Sequence, residues 1–421
     1  MRSNRYFARF APFAGLAAAG HAVAQADFPA VFLVHNVSDS VVAYQVGADG
    51  RPVQAGSLDV SDWPTDIALS PGGSRLAVTH ATSSSNEILT IIAVGPDGAL
   101  TKMGEFGIPD SPLAADWLAD DLVAVTSSTF GASSFRVYRY SEDPAPSLTL
   151  LDTESPGGFA TALEPDLHAG LLYVNDSVNN VVRVYAINAD GTVDALTLSG
   201  SGGYPIDIKL TPDKLSLYGG GGISGDGHRI VGFDLDPSTG GIGPMPGSPF
   251  HSPGQSPAYL CAPSGGDYLI VGHGTDATVR TFAIDPDDGS LEYTGFTFDV
   301  GLQGTIGDIV ELNGFVFITD ESTSLDDIYG LYSFILNADG TMTQNGPVLE
   351  TPGTRPETMV VWNPAPSCPA DFNGDGEVNT LDVLAFLNAW SAGDPSGDFN
   401  GDGEVNTLDV LAFLNAWTAG C

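Results

Sequence analysis

Basic residues are scarce in this 421-residue chain: 14 Lys and Arg stand against 52 Asp and Glu, a formal charge of −38. A surface so acidic repels phosphate backbones and anionic lipid, which excludes nucleic acid as a partner. Long apolar runs are lacking as well. None reaches the ~20 residues that cross a bilayer, so no membrane span is expected. Cysteine occurs three times, and Cys261 sits alone in the apolar run Ala258–Ala262. No His or cationic neighbour is near it in sequence to activate a thiol, so it reads as a small buried hydrophobe. Glycine (52) and proline (29) are plentiful, and 43% of residues are hydrophobic. That balance describes many short strands joined by tight turns, and the length leaves room for two or three domains.

The first segment reads as an address. Arg2, Arg5 and Arg9 precede the apolar stretch Phe10–Gly20, and Ala22-Val23-Ala24 supplies a small-x-small cleavage pattern, so residues 1–24 are expected to be a secretory signal, cleavage after Ala26 being the alternative. Cleavage would leave 11 basic against 52 acidic residues. Export to an oxidising compartment would permit a bridge between Cys368 and Cys421, which bracket the end of the chain.

Residues 28–363 carry an internal repeat. Pro205-Ile206-Asp207-Ile208-Lys209-Leu210, the turn Thr211-Pro212-Asp213 and the run Leu215–Tyr218 form one copy; Pro64–Leu69, Ser70–Gly73 and Leu76–Val78 form another. Anchored on the first strand, copies start near Pro64, Pro112, Pro156, Pro205, Pro257, Gly304 and Pro356. Spacings of ~40 to 50 residues with four short strands predict propeller blades. The last copy stops after one strand, whereas the chain enters in mid-blade with Val31–Val34, Val41–Val46 and a strand near Leu58. Those three strands plus the last one predict a seventh blade that closes the ring. The turns Asp49-Gly50, Asp97-Gly98, Asp190-Gly191, Asp288-Gly289 and Asp339-Gly340 fall between third and fourth strands, where glycine supplies the positive φ of a hairpin.

The copy Tyr173-Val174-Asn175-Asp176-Ser177, Val181–Ile187, Asp190-Gly191 resembles the YVTN and lactonase-like seven-bladed β-propellers. Enzymes of that family work through His, Arg and Glu on one face, with a His-Pro-His element opening a blade. Here the openings read Gly158–Ala162 and Ser256–Tyr259, and the catalytic signature is missing. An enzymatic reading (lactonase, glycoside hydrolase or polysaccharide lyase) would rest on His35, His80, Asp176, His273 and Asp320, which blade geometry assigns to loops after second strands on a shared rim.

The most specific signal is at the end. Asp371–Trp390, DFNGDGEVNTLDVLAFLNAW, returns unchanged as Asp398–Trp417. Each copy opens with the oxygen-ligand spacing of an EF-hand-like calcium loop: Asp371, Asn373, Asp375, Glu377 through its carbonyl, Asn379 and Asp382, then Asp398, Asn400, Asp402, Glu404, Asn406 and Asp409. Gly376 and Gly403 permit the sharp turn. Leu381, Leu384, Phe386, Leu387 and Trp390 recur at helical spacing, and most of this stripe is expected to form a small core between two helices. Position 12 is Asp rather than Glu and no apolar helix precedes the loop. With these departures residues 368–421 resemble a type I dockerin of the GC type, in which Thr380, Leu381, Thr407 and Leu408 would contact a cohesin-like module. The resemblance implies two Ca²⁺ ions, without which so small a unit is expected to be largely unfolded. Residues 364–367 form a Pro-rich linker. The sequence thus predicts an all-β seven-bladed propeller followed by a small α-helical calcium-binding domain, with carbohydrate as the ligand class that dockerin-bearing chains suggest.

Overall fold

The computed structural model describes residues 25–419 except 82–86, 130–131, 201–204, 222–226, 302–304, 322–329, 365–369, 371, 373–377, 393–394, 398 and 401–404. The signal expected at residues 1–24, Cys368, Cys421, and the ligands Asp371, Asn373, Asp375, Glu377, Asp398, Asp402 and Glu404 lie outside the described residues. The chain divides into two compact units, residues 1–362 and 363–421.

The first unit is a seven-bladed β-propeller of antiparallel sheets. Its inner strands are Pro356–Trp362, Pro64–Leu69, Pro112–Ala119, Leu163–Asp166, Pro205–Leu210, Pro257–Cys261 and Ile306–Leu312, here blades one to seven. Blade one is completed by Ala30–His35, Ser40–Val46 and Pro52–Asp59 from the other end of the chain. Its ladder pairs Val31 with Val361, Phe32 with Val360 and Leu33 with Met359, and the Trp362 indole donates to the Ala26 carbonyl at 2.8 Å. The expected split blade therefore closes the ring and leaves no long unpaired edge at the seam.

The core lies between blades. Phe32, Val34 and Val41 of blade one meet Ile67, Leu76 and Val78 of blade two, and analogous clusters fill the remaining junctions. Alternation along each strand sends one apolar face to each neighbouring blade, as a radial stack of sheets requires. The five predicted Asp-Gly turns have glycines at φ 73–90°. At Gly50 the need is double, because a Cβ there would also overlap the Phe315 ring of blade seven.

One strand start departs from the repeat. Pro156 lies within the outer strand Ser147–Gly157 of blade three, next to its end, and the inner strand of blade four begins only at Leu163. Asp176 Oδ1 accepts the amides of Gly158 and Phe159, and Asn175 Oδ1 those of Thr161 and Ala162. These side chains satisfy the backbone groups that a strand partner would otherwise take.

In the second unit the helices α1 (Thr380–Ala392) and α2 (Thr407–Ala419) carry the repeated sequence. Among the described residues no helix is long and apolar enough to cross a membrane.

Candidate functional site

The repeat in the tail gives it internal two-fold character. Phe386 and Phe413 are fully buried and stack at 4.3 Å with ring planes 12° apart, while Phe372 and Phe399 pack edge-on against both. Trp390 donates its indole N–H to the Asn406 carbonyl and Trp417 donates to that of Asn379, so each helix ties down the residue that starts the other.

Both helix starts use a reciprocal cap. Asn379 Oδ1 accepts the Leu381 amide while Asp382 Oδ2 accepts the Asn379 amide at 2.8 Å; Asn406, Leu408 and Asp409 repeat this, the return bond being 2.7 Å. Two otherwise unpaired amides are satisfied at each start. The cap places Asp382 and Asp409, position 12 of the two expected calcium loops, with no exposed surface. Buried carboxylates need counter-charge. Residues 364–421 contain nine acidic residues and no Lys, Arg or His, so the segment cannot supply it. A hard divalent cation would suit this donor set, and Asn379, Asp382, Asn400, Asn406 and Asp409 are the described members of the expected ligand set that would hold it.

The leucines depart from expectation. Leu381 and Leu384 are 55% and 57% exposed, Leu408 and Leu411 56% and 57%, and Leu387 and Leu414 are also exposed. The stacked Phe386 and Phe413 with their edge-on partners fill the space between the helices, so the leucines stay outside it.

In the propeller, the five rim candidates are the last residues of second strands rather than loop residues. All five are buried. His80 Nε2 lies 2.9 Å from Thr90 Oγ1, and His273 Nε2 lies 2.7 Å from Ser252 Oγ. His35 Nδ1 faces Ser40 Oγ at 3.4 Å. Asp176 bonds its own blade, and Asp320 Oδ1 accepts the Thr305 amide. Burial lowers the three imidazole pKa values, those of His35 and His273 to about 4, so these rings are neutral at pH 7. None of the five lines the central cavity, and among the described residues no three His, Cys, Asp or Glu side chains come together to hold a metal ion.

Charge gathers instead inside the ring, in a cavity of about 820 Å³. Asp66, Asp116, Glu164, Asp207, Asp308 and Glu357 line it together with Lys209. Four of these carboxylates join blades: Asp66 accepts the Ala115 amide, Glu164 that of Leu210, Asp207 that of Leu260 and Asp308 that of Met359. Lys209 Nζ lies 3.1 Å from Glu164, whose charge is the main cause of its raised pKa. Desolvation by the surrounding blades lifts Asp66 to about 8, Asp116 and Asp207 to about 7 and Asp308 to about 6. Sequence reasoning missed these groups. A signal existed, since Asp66 and Asp207 each stand two residues after a blade-opening proline.

Residues 369–413 match the family model of the dockerin type I domain. No curated protein matches the chain. Among solved structures, the propeller is similar to the periplasmic gluconolactonase PpgL of Pseudomonas aeruginosa (17% identity, TM-score 0.64, covering 79% of this chain and 99% of that one). It is also similar to a putative 6-phosphogluconolactonase from Bacteroides uniformis (13%, 0.61, 80% and 100%). A protein of unknown function from Desulfotomaculum acetoxidans is similar too (15%, 0.63, 80% and 99%). At these identities the likeness concerns fold alone.

Proposed function

We propose that the chain is a secreted, calcium-dependent modular protein in which residues 368–421 dock on a cohesin-like module and so anchor a β-propeller in an extracellular or cell-surface assembly. The observation that carries this reading is the pair of exposed leucine rows, Leu381–Leu384–Leu387 and Leu408–Leu411–Leu414, presented on two helices that differ only at Ser391 and Thr418. Apolar side chains left in water in repeated order mark a surface built to be covered. Thr380 and Leu381, with Thr407 and Leu408, open the two rows and form the primary partner contacts.

Two Ca²⁺ ions, one per loop, would neutralise Asp382 and Asp409 and hold the loop ends at the helix starts. Dockerin-bearing assemblies point to polysaccharide breakdown as the setting. The rival reading, an enzyme working through His35, His80, Asp176, His273 and Asp320, gains nothing from their placement, because all five are buried and none lines the central cavity.

The test is a pull-down from the secretome of the source organism with residues 364–421 as bait. A partner retained in calcium and released by chelator is expected. Retention that persists in chelator, or that survives Leu381→Asp combined with Leu408→Asp, would overturn the docking reading.

A further inference from the structure

The first described residues are built into the seam of the ring. Ala26 has no exposed surface and belongs to the core between blades one and two. Its carbonyl accepts the Trp362 indole N–H at 2.8 Å, and the Trp362 ring lies so close to Gly73 of blade two that a Cβ there would overlap it. The Asp27 amide donates to the Pro96 carbonyl of blade two at 3.1 Å, and the Phe28 ring lies against Gly98 in the same turn. Residues 26–28 thus bolt blade one to blade two. Gln25, one step earlier, is exposed.

Two cleavage frames overlap at this point. Ala22-Val23-Ala24 and Ala24-Gln25-Ala26 both place small residues at the two positions that a signal peptidase reads. The sequence does not choose between them, but their products leave the fold different material. A chain that starts at Asp27 lacks the carbonyl that takes the Trp362 indole and has a void where the Ala26 methyl packs. A chain that starts at Gln25 keeps both. Its first residue is then a solvent-exposed glutamine, whose own α-amine can reach its side-chain amide through a five-membered ring.

We propose that the mature protein begins at Gln25 and that this residue is a modification site, converted to pyroglutamate. The proposal rests on the secreted reading. In the step, the Gln25 α-amine attacks Cδ. The new N–Cδ bond closes the lactam, the Cδ–Nε2 bond breaks, and the departing nitrogen takes the proton that the amine gives up and leaves as ammonia. No oxidant, metal or second substrate enters. The lactam carries no charge, so a chain poor in cations loses the ammonium at its start, while the buried Ala26 and its bond to Trp362 stay in place.

The test is mass spectrometry of the full chain recovered from outside the cells of the source organism, read as intact mass and as the first peptide. A first peptide that begins at Gln25 and is lighter than the open form by one ammonia is expected. A first residue of Asp27, or a Gln25 that stays open after prolonged incubation at neutral pH, would overturn the proposal and leave secretion standing. A chain found only inside cells with residues 1–24 attached would overturn the secreted reading with it. A second arm tests the structural reason: full chains freed from a removable tag to start at Gln25 or at Asp27, each with and without Trp362→Phe, are melted in calcium buffer. The Asp27 start should unfold about 2–5 °C lower. Trp362→Phe, which keeps a ring but not the donor, should narrow that gap. Equal midpoints for the two starts, or a gap that Trp362→Phe leaves unchanged, would overturn the assignment.

Discussion

Truncating Phe386 to Ala tests the claim that the tail is held by one aromatic stack and leaves its leucines to solvent. Phe386 has no exposed surface and contacts Phe413, Phe372 and Phe399 at ring-centroid distances of 4.3, 5.4 and 5.9 Å. Removing a fully buried phenyl ring costs about 3–5 kcal/mol. The loss includes ~0.5–1.5 kcal/mol of ring–ring preference for each pair broken. Phe413 has the same burial and the same neighbours by symmetry, so Phe413→Ala should cost the same within about 1 kcal/mol. Leu384→Ala, on an outward row, should stay within ~0.5 kcal/mol. Even with Ca²⁺ bound a unit of this size holds only a few kcal/mol in reserve, so either Phe variant should lose most of its protection at a calcium level that keeps the wild type folded, and excess Ca²⁺ should rescue it in part through binding to the folded state alone. Hydrogen exchange of the α1 and α2 amides in the full chain, with and without calcium, reads all three variants against wild type. Equal loss of protection in Leu384→Ala and Phe386→Ala would refute the reasoning, because the leucines would then be core.

Two further predictions concern the propeller. Asp66, Asp116, Asp207 and Asp308 have folded pKa values of about 6–8, above the unfolded range. The folded state therefore binds the extra protons, and the stability that this contributes is lost as pH rises through 6–8. The thermal midpoint of the propeller should fall between pH 5.5 and 8.5, and Asp66→Asn, which keeps an acceptor for the Ala115 amide, should flatten that slope; a midpoint that rises with pH would contradict it. Gly50→Ala should destabilise by about 2–5 kcal/mol, combining ~1–2 for a left-handed alanine with ~1–3 for overlap with Phe315. Gly295→Ala, also at positive φ but in open space, should show only the smaller part, and equal unfolding midpoints in denaturant would count against the packing argument.

Much of the architecture was legible because it repeats. The 27-residue duplication and the proline-led strands need no long-range information, and the incomplete last copy required a first blade assembled from both ends. What the sequence hid was partnership. Helical spacing showed that Leu381, Leu384, Leu387 and Phe386 recur regularly, but the volume between the helices admits only the phenylalanines. The cavity groups were hidden differently: Asp66, Glu164, Asp207 and Asp308 come from four blades, far apart along the chain, and only the ring brings them together. The rim histidines had the opposite fate, since sequence symmetry placed them on one face while the structure buries each beside a different hydroxyl or carbonyl partner.

The seam of the ring has a mechanical consequence. Trp362 ends the strand that completes blade one, and the second unit begins at the next residue. Tension on a tethered tail would therefore enter the propeller through its closing strand, loading the ladder to Ala30–His35 and the Trp362 indole before any other sheet feels the pull. Under the proposed docking, the point of anchorage is also the point where the ring is fastened.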